Sequence, residues 1–231
     1  MCARQQGRCV LRRAVAGGDA GAEYARVPTT FSRLFPSACA VLLCLAMNAT
    51  TDPIPSASPS SRPALQYAYF GGGCFWCLEA YFETLPGVKA VVSGYAGGQS
   101  PNPTYRQVCT GVTGHAEVVR IEYDPAEIGY GTLLEKFWLV HDPTSLDRQG
   151  PDEGPQYRSI ILYADETQRA MADQSKAALQ QRLAGSVVTE IVPLGRFYEA
   201  EEYHQDYYRR NPEQGYCRAV IAPKLRKLGA K

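Results

Sequence analysis

The chain has 231 residues, 45% of them hydrophobic and 20% charged, with 24 Lys and Arg against 23 Asp and Glu for a formal net charge of +1. This suits a soluble globular protein with one well-cored domain and room for a tail. Balanced charge with no long basic stripe argues against a polyanion ligand, so no nucleic-acid partner is expected.

Residues 1–46 read differently from the remainder, as an upstream extension or an atypical signal-like segment. The apolar run within Ser37–Ala49 suits a signal-peptide core and is too short for a stable membrane span. Its basic flank is thin and it begins far from Met1. The cytoplasm is therefore the expected compartment, with export the alternative if residues 32–49 act as a signal. Residues 47–66 form a polar Pro/Ser-rich lead-in with the composition of disorder, and residues 67–231 are expected to fold.

In the folding part, QYAYFGGG predicts a strand running into a glycine turn. CFWCLEAYFETL has Phe75, Leu78, Tyr81, Phe82 and Leu85 at helical spacing, and Pro86 stops it. VKAVVSGYA and HAEVVRIEYD predict strands, GTLLEKFWLVH a helix, and YRSIILY another strand. A long amphipathic helix follows, capped by Asp165 and stopped by Gly185. VVTEIVPL is a strand, and EAEEYHQDYYRR a last helix ended by Asn211-Pro212. The order predicts an α+β fold, a mixed β-sheet covered by helices in a two-layer sandwich with long irregular loops.

Eight cysteines are unevenly placed, with Cys74, Cys77, Cys109 and Cys217 lying in the folding part. They are too sparse for a disulfide scaffold, which leaves catalytic or metal roles for some of them. Cys74 stands at a helix start, where unpaired amides and the dipole lower a thiol pKa, after glycines that allow a sharp turn. It is a candidate nucleophile, against the plainer reading of a buried structural cysteine. Cys74-x-x-Cys77 also fits a redox pair or half a zinc site, but Cys109, Cys217, His115, His141 and His204 lack the spacing of a second ligand pair. Glu117 shares a strand face with Val119 and Ile121, where a carboxyl resists ionisation and can donate a proton. The alternative is a solvated residue at the sheet rim. Two Pro/Gly-rich loops deliver Tyr105 and Tyr157.

GCFWCLEA, GYAGG, PNPTYRQVCTGVTGHAEVVRIEYDP, FWLVHDPTSLDRQGPDEGPQYRS, YHQDYYRRNP and GYC occur in that order between Tyr69 and Lys227. Together they resemble the class A methionine sulfoxide reductases, the peptide-methionine (S)-S-oxide reductases. Cys77 replaces the last glycine of that family's usual Gly-Cys-Phe-Trp-Gly. The resemblance implies repair of oxidised protein by reduction of the S epimer of methionine sulfoxide, free or in proteins and peptides. It assigns Cys74 as nucleophile, Phe75 and Trp76 as walls of the methyl pocket, and Glu117 as proton donor. Tyr105 and Tyr157 become the phenols on the sulfoxide oxygen, Asp152 the acid that orients the substrate or a water, and Cys217 the resolving thiol in a flexible tail. Cys77 is then a second resolving candidate, Arg158 and His204 are supporting candidates, and Cys109 is read as packing. Thioredoxin or another dithiol is the implied reductant of a monomer that needs no metal or organic cofactor. The competing reading is a general C-x-x-C thiol–disulfide oxidoreductase.

Overall fold

The computed structural model describes residues 64–230; the expectations for residues 1–46 and for 47–63 fall outside them. Strand β1 (Gln66–Gly71) alternates as its sequence suggests, with Ala68 and Phe70 in the main core and Tyr69 facing a smaller apolar cluster. Helix α1 (Phe75–Phe82) is buried at every position. A helix this short is marginal by itself and is held by the packing on all its sides.

Strands β2 (Val88–Ala96) and β3 (Ala116–Tyr123) pair antiparallel, and β3 also pairs with β1. After α2 (Tyr105–Val108), α3 (Tyr130–Val140) and the two-residue strands β4 (Arg148–Gln149) and β5 (Asp152–Glu153), the chain forms a 3-10 turn at Pro155–Tyr157. It then returns to the sheet as β6 (Ile160–Tyr163), beside β1. Helix α4 (Glu166–Gln180) crosses over to β7 (Glu190–Pro193), which runs parallel to β6 as such a crossover permits. β8 (Tyr198–Glu199) closes the far edge of an open six-stranded sheet of order β7-β6-β1-β3-β2-β8. Val119, Ile121 and Tyr123 of β3 join α1, α3 and α4 in the main core, while Ala116 and Val118 face the smaller cluster. The architecture is α+β, with helices on a mixed sheet as expected.

Three local expectations change. Helix α4 stops at Gln180, with Gln181 rather than a glycine at its end, although Asp165 does cap its start by accepting the Gln168 N–H at 2.8 Å. EAEEYHQDYYRR is not one helix. It breaks into β8, a 3-10 turn at Glu202–His204 and the short α5 (Tyr207–Arg210), because Asp206 takes a left-handed φ of 54°. The segment beyond Pro212 is not a loose tail but a π-helical turn (Cys217–Ile221) leading into α6 (Ala222–Lys227), both packed on α1.

The glycines before α1 meet two separate demands. A Cβ on Gly71 would lie 2.6 Å from the Glu117 carbonyl, so β1 approaches β3 more closely there than a side chain allows. Gly73 has φ +93°, and its N–H donates to the Tyr157 carbonyl at 3.1 Å. Gly73→Ala is expected to lower stability by about 1–3 kcal/mol through that backbone strain. Urea unfolding measures it, and an unchanged midpoint would show that the turn imposes no such constraint.

Candidate functional site

Cys74 is the N-cap residue of α1, in extended conformation, and its side chain makes no capping bond. Its carbonyl accepts the Cys77 N–H at 3.0 Å. The next amide, Phe75 N–H, donates to Glu117 Oε2 at 3.0 Å. Glu117 thus comes from the neighbouring strand to satisfy an amide that the helix start leaves open. It is 1% exposed on the core face that parity assigned to it, so the solvated-rim alternative fails.

Aromatic rings surround this point. Phe75 lies 5.0 Å from the ring of His204 and 5.9 Å from Tyr95. Tyr105 approaches His204 to 4.4 Å, and its backbone is fixed by Glu201, which accepts the Tyr105 N–H at 2.9 Å. Tyr157 is buried in the 3-10 turn that packs on β3. Arg158 donates to the carbonyls of Gly114 and Pro155 and to Glu190, tying the Tyr157 turn to the approach of β3. Trp76 stacks flat on Tyr207, with centroids 3.6 Å apart and planes at 7°. Trp76 Nε1 and both ring nitrogens of His204 are buried without a hydrogen-bond partner. Burial holds the His204 pKa down to about 4, so its ring is neutral at physiological pH.

On the other side of Cys74, the Tyr216 hydroxyl donates to Asp152 Oδ2 at 2.6 Å and sits 3.9 Å from Cys77 Sγ. A cavity of about 460 Å³ opens here, lined by Cys74, Cys77, His141, Asp152, Lys224 and Leu228 among others. Burial pushes the Cys74 thiol well above its ordinary value, helped by its hydrogen bond to Cys77 and by Glu117. Cys77 is drawn down, chiefly by the hydrogen bond from Cys74, with Lys224 adding to it against burial. The raised thiol reverses the expectation of an acidified Cys74, because burial beside acids outweighs the end of an eight-residue helix.

The structure brings Cys74, Cys77, Phe75, Trp76, Glu117, Tyr105, Tyr157 and Asp152 around one point, with Cys217 buried at the start of the π-helical turn. His115 engages the Gly98 N–H and the Ser100 carbonyl, and His141, although it lines the cavity, has its nitrogens engaged by the Phe137 carbonyl and Ser159. Tyr207 and Tyr216 were missed. The only sequence signal was their place in YHQDYYRRNP and GYC, two motifs otherwise read through His204 and Cys217.

A buried thiol at a helix start, facing a carboxyl and phenols with further thiols close by, defines a cysteine-based redox enzyme. The family model "Peptide methionine sulfoxide reductase" matches residues 66–231. A peptide methionine sulfoxide reductase MsrA from Nautilia profundicola is 58% identical over 160 residues, covering 69% of this chain and 92% of the relative. One from Polynucleobacter asymbioticus is 49% identical over 187 residues, covering 80% and 95%. Among solved structures, methionine sulfoxide reductase A of Corynebacterium diphtheriae aligns with TM-score 0.60 at 38% identity, covering 71% of this chain and 84% of that one. Mxr1 of Saccharomyces cerevisiae in reduced form gives TM-score 0.63 at 32% identity, covering 70% and 92%. The chain belongs to the peptide methionine sulfoxide reductase family. The general C-x-x-C oxidoreductase reading is set aside by that membership.

Among the four described cysteines, Cys109 alone is only half-buried. It is expected to react first with iodoacetamide at neutral pH, as peptide mass spectrometry will show. Prior labelling of Cys74 would contradict both its burial and its raised pKa.

Proposed function

We propose that this protein reduces the S epimer of methionine sulfoxide, free and within peptides, with Cys74 as nucleophile. The observation that carries the reading is the 3.0 Å bond from the Phe75 amide to Glu117, which holds a buried carboxyl beside Cys74 among aromatic rings.

The substrate methyl packs against Phe75 and Trp76, where sulfur–aromatic contact adds to burial. Asp152 orients the substrate or a water. Cys74 attacks the sulfoxide sulfur while Glu117 delivers a proton to the oxygen, and the proton given up by the Cys74 thiol restores Glu117. The Tyr105 and Tyr157 hydroxyls stabilise the charge that builds there. Sulfoxide and thiol become thioether and sulfenic acid: the sulfur–oxygen bond breaks, the oxygen leaves as hydroxyl on Cys74, and methionine departs. A second thiol then condenses with the sulfenic acid, releasing water and forming a disulfide. Two electrons from a dithiol such as thioredoxin restore the thiols. The scheme routes no step through a metal or organic cofactor.

We take residues 67–231 as the catalytic domain, behind a 47–66 lead-in and a 1–46 extension. We place it as a cytoplasmic monomer. Cys74, Cys77 and Cys217 are thiols in this structure, which suits a reducing compartment. No described helix is long and apolar enough to cross a membrane.

Cys74→Ser is expected to abolish turnover, and the R epimer to stay unreduced by the unaltered enzyme; both are read by chromatography of the product. Glu117→Gln is expected to lower kcat by about 10²–10⁴ with little change in KM, since its proton is needed mainly in the transition state. An unchanged kcat with a raised KM would make Glu117 a binding residue.

Cys217 is proposed as the first resolving thiol and Cys77 as the second, which carries the oxidation onward. Cys217 adjoins Tyr216, whose hydroxyl already bridges Asp152 and Cys77. Cys217→Ser should keep a single turnover while thioredoxin-driven cycling falls. A dominant Cys74–Cys77 disulfide in the unaltered protein, with cycling intact in Cys217→Ser, would move the role to Cys77.

A further inference from the structure

Glu79 lies midway along α1, is 1% exposed, and has no part in the chemistry above. A carboxyl buried that deeply is strongly disfavoured unless its oxygens are hydrogen-bonded. Oε1 accepts from the Ser93 hydroxyl of β2 at 3.1 Å, and Oε2 accepts the Tyr207 N–H at 3.3 Å. The Asp206 amide is a further donor to the same carboxyl. The left-handed φ of 54° at Asp206 turns these two successive amides toward Glu79. Tyr207 is also the residue whose ring lies flat on Trp76. One carboxyl on α1 thus grips the backbone of the residue that covers another α1 side chain.

We propose that Glu79 is a positioning residue: its carboxyl clasps the Asp206–Tyr207 turn, holds the Tyr207 ring on Trp76, and docks the chain beyond His204 over the pocket. The clasp responds to pH. Burial pushes the Glu79 carboxyl up to about 7, against the lowering by its donors. The charged groups facing it are Glu83 at the end of its own helix and Arg209 of α5, while Asp206 at the start of α5 presents its amide and β2 the uncharged Ser93. Asp206 is itself paired with Arg209 and Arg210. The neutral acid is well accommodated, since it can donate to Ser93 Oγ while its other oxygen still accepts from Tyr207. If undocking exposes the carboxyl, its pKa falls back toward the ordinary 4.5, so docking takes up a proton between the two values. Docking is therefore firmest at low pH and weakens as pH rises through about 7.

The inference rests on Trp76 lining the substrate pocket, but its test reads Trp76 and not turnover, so the two can fail separately. The chain has 2 tryptophans, and Trp138→Phe leaves Trp76 as the sole tryptophan, excited selectively at the red edge beyond tyrosine absorption. In that background, Trp76 emission is expected to titrate with a midpoint near 7, to lose the transition in Glu79→Gln, and to lose the stacking signal in Tyr207→Leu. Circular dichroism reports whether each variant folds. If Glu79→Gln does not fold, Ser93→Ala serves in its place: it removes a donor to the carboxylate, and the midpoint should move to higher pH. A flat titration in the parent, the same transition in Glu79→Gln, or an unmoved midpoint in folded Ser93→Ala would each overturn the proposal.

Discussion

The hydrogen bond from the Phe75 amide to Glu117 is the contact on which the site depends. A helix start leaves its first amides open, and α1 is buried on every side, so water is a poor partner there. The carboxyl of a neighbouring strand fills that need and is itself made tolerable in the core by the bond. One interaction therefore fixes where the helix begins, where its thiol sits and where the acid points. Gly71 and Gly73 exist to allow it. The first lets β1 lie tight against β3, and the second turns the chain so that Cys74 meets the end of that strand.

The carboxy-terminal chain is the second half of the site. Tyr207 covers Trp76, Tyr216 touches Trp76 edge-on, and the Tyr216 hydroxyl reaches Asp152 and Cys77. Aromatic pairs of this kind contribute about 0.5–1.5 kcal/mol each beyond the area they bury. Burial, with the hydrogen bond to Cys77 and the nearby Glu117, holds the Cys74 thiol well above its ordinary pKa. Its reactivity is a property of the whole assembly of α1, β3 and the last forty or so residues, and not of the helix end alone.

Much of this was legible in the sequence where the rule is local. The glycine turn after QYAYF and the valine and tyrosine content located β1, β2 and β3, and counting parity along AEVVRIEY put Glu117 on the core face. Asp165 announced the start of α4 by residue type and position. What failed depended on contacts distant in sequence. Nothing in EAEEYHQDYYRR reveals that Asp206 will turn left-handed, because that turn is held by a carboxyl 127 or so positions earlier. The dipole argument for Cys74 ran against the raised pKa because the burial that dominates it, like the approach of Glu117 and Asp152, comes from segments distant in sequence. The phenols of Tyr207 and Tyr216 passed as ordinary residues of a helix and a tail for the same reason.

The two edges of the sheet carry a consequence of their own. β8 offers only two residues to a would-be partner strand, and β7 ends in Pro193, which has no N–H to give. An extended peptide therefore finds little backbone to zip onto at either side. For a member of a family that acts on peptides, this separates two kinds of contact. Among the described residues, an oxidised peptide is therefore met by the pocket for one side chain rather than by a strand edge for its backbone.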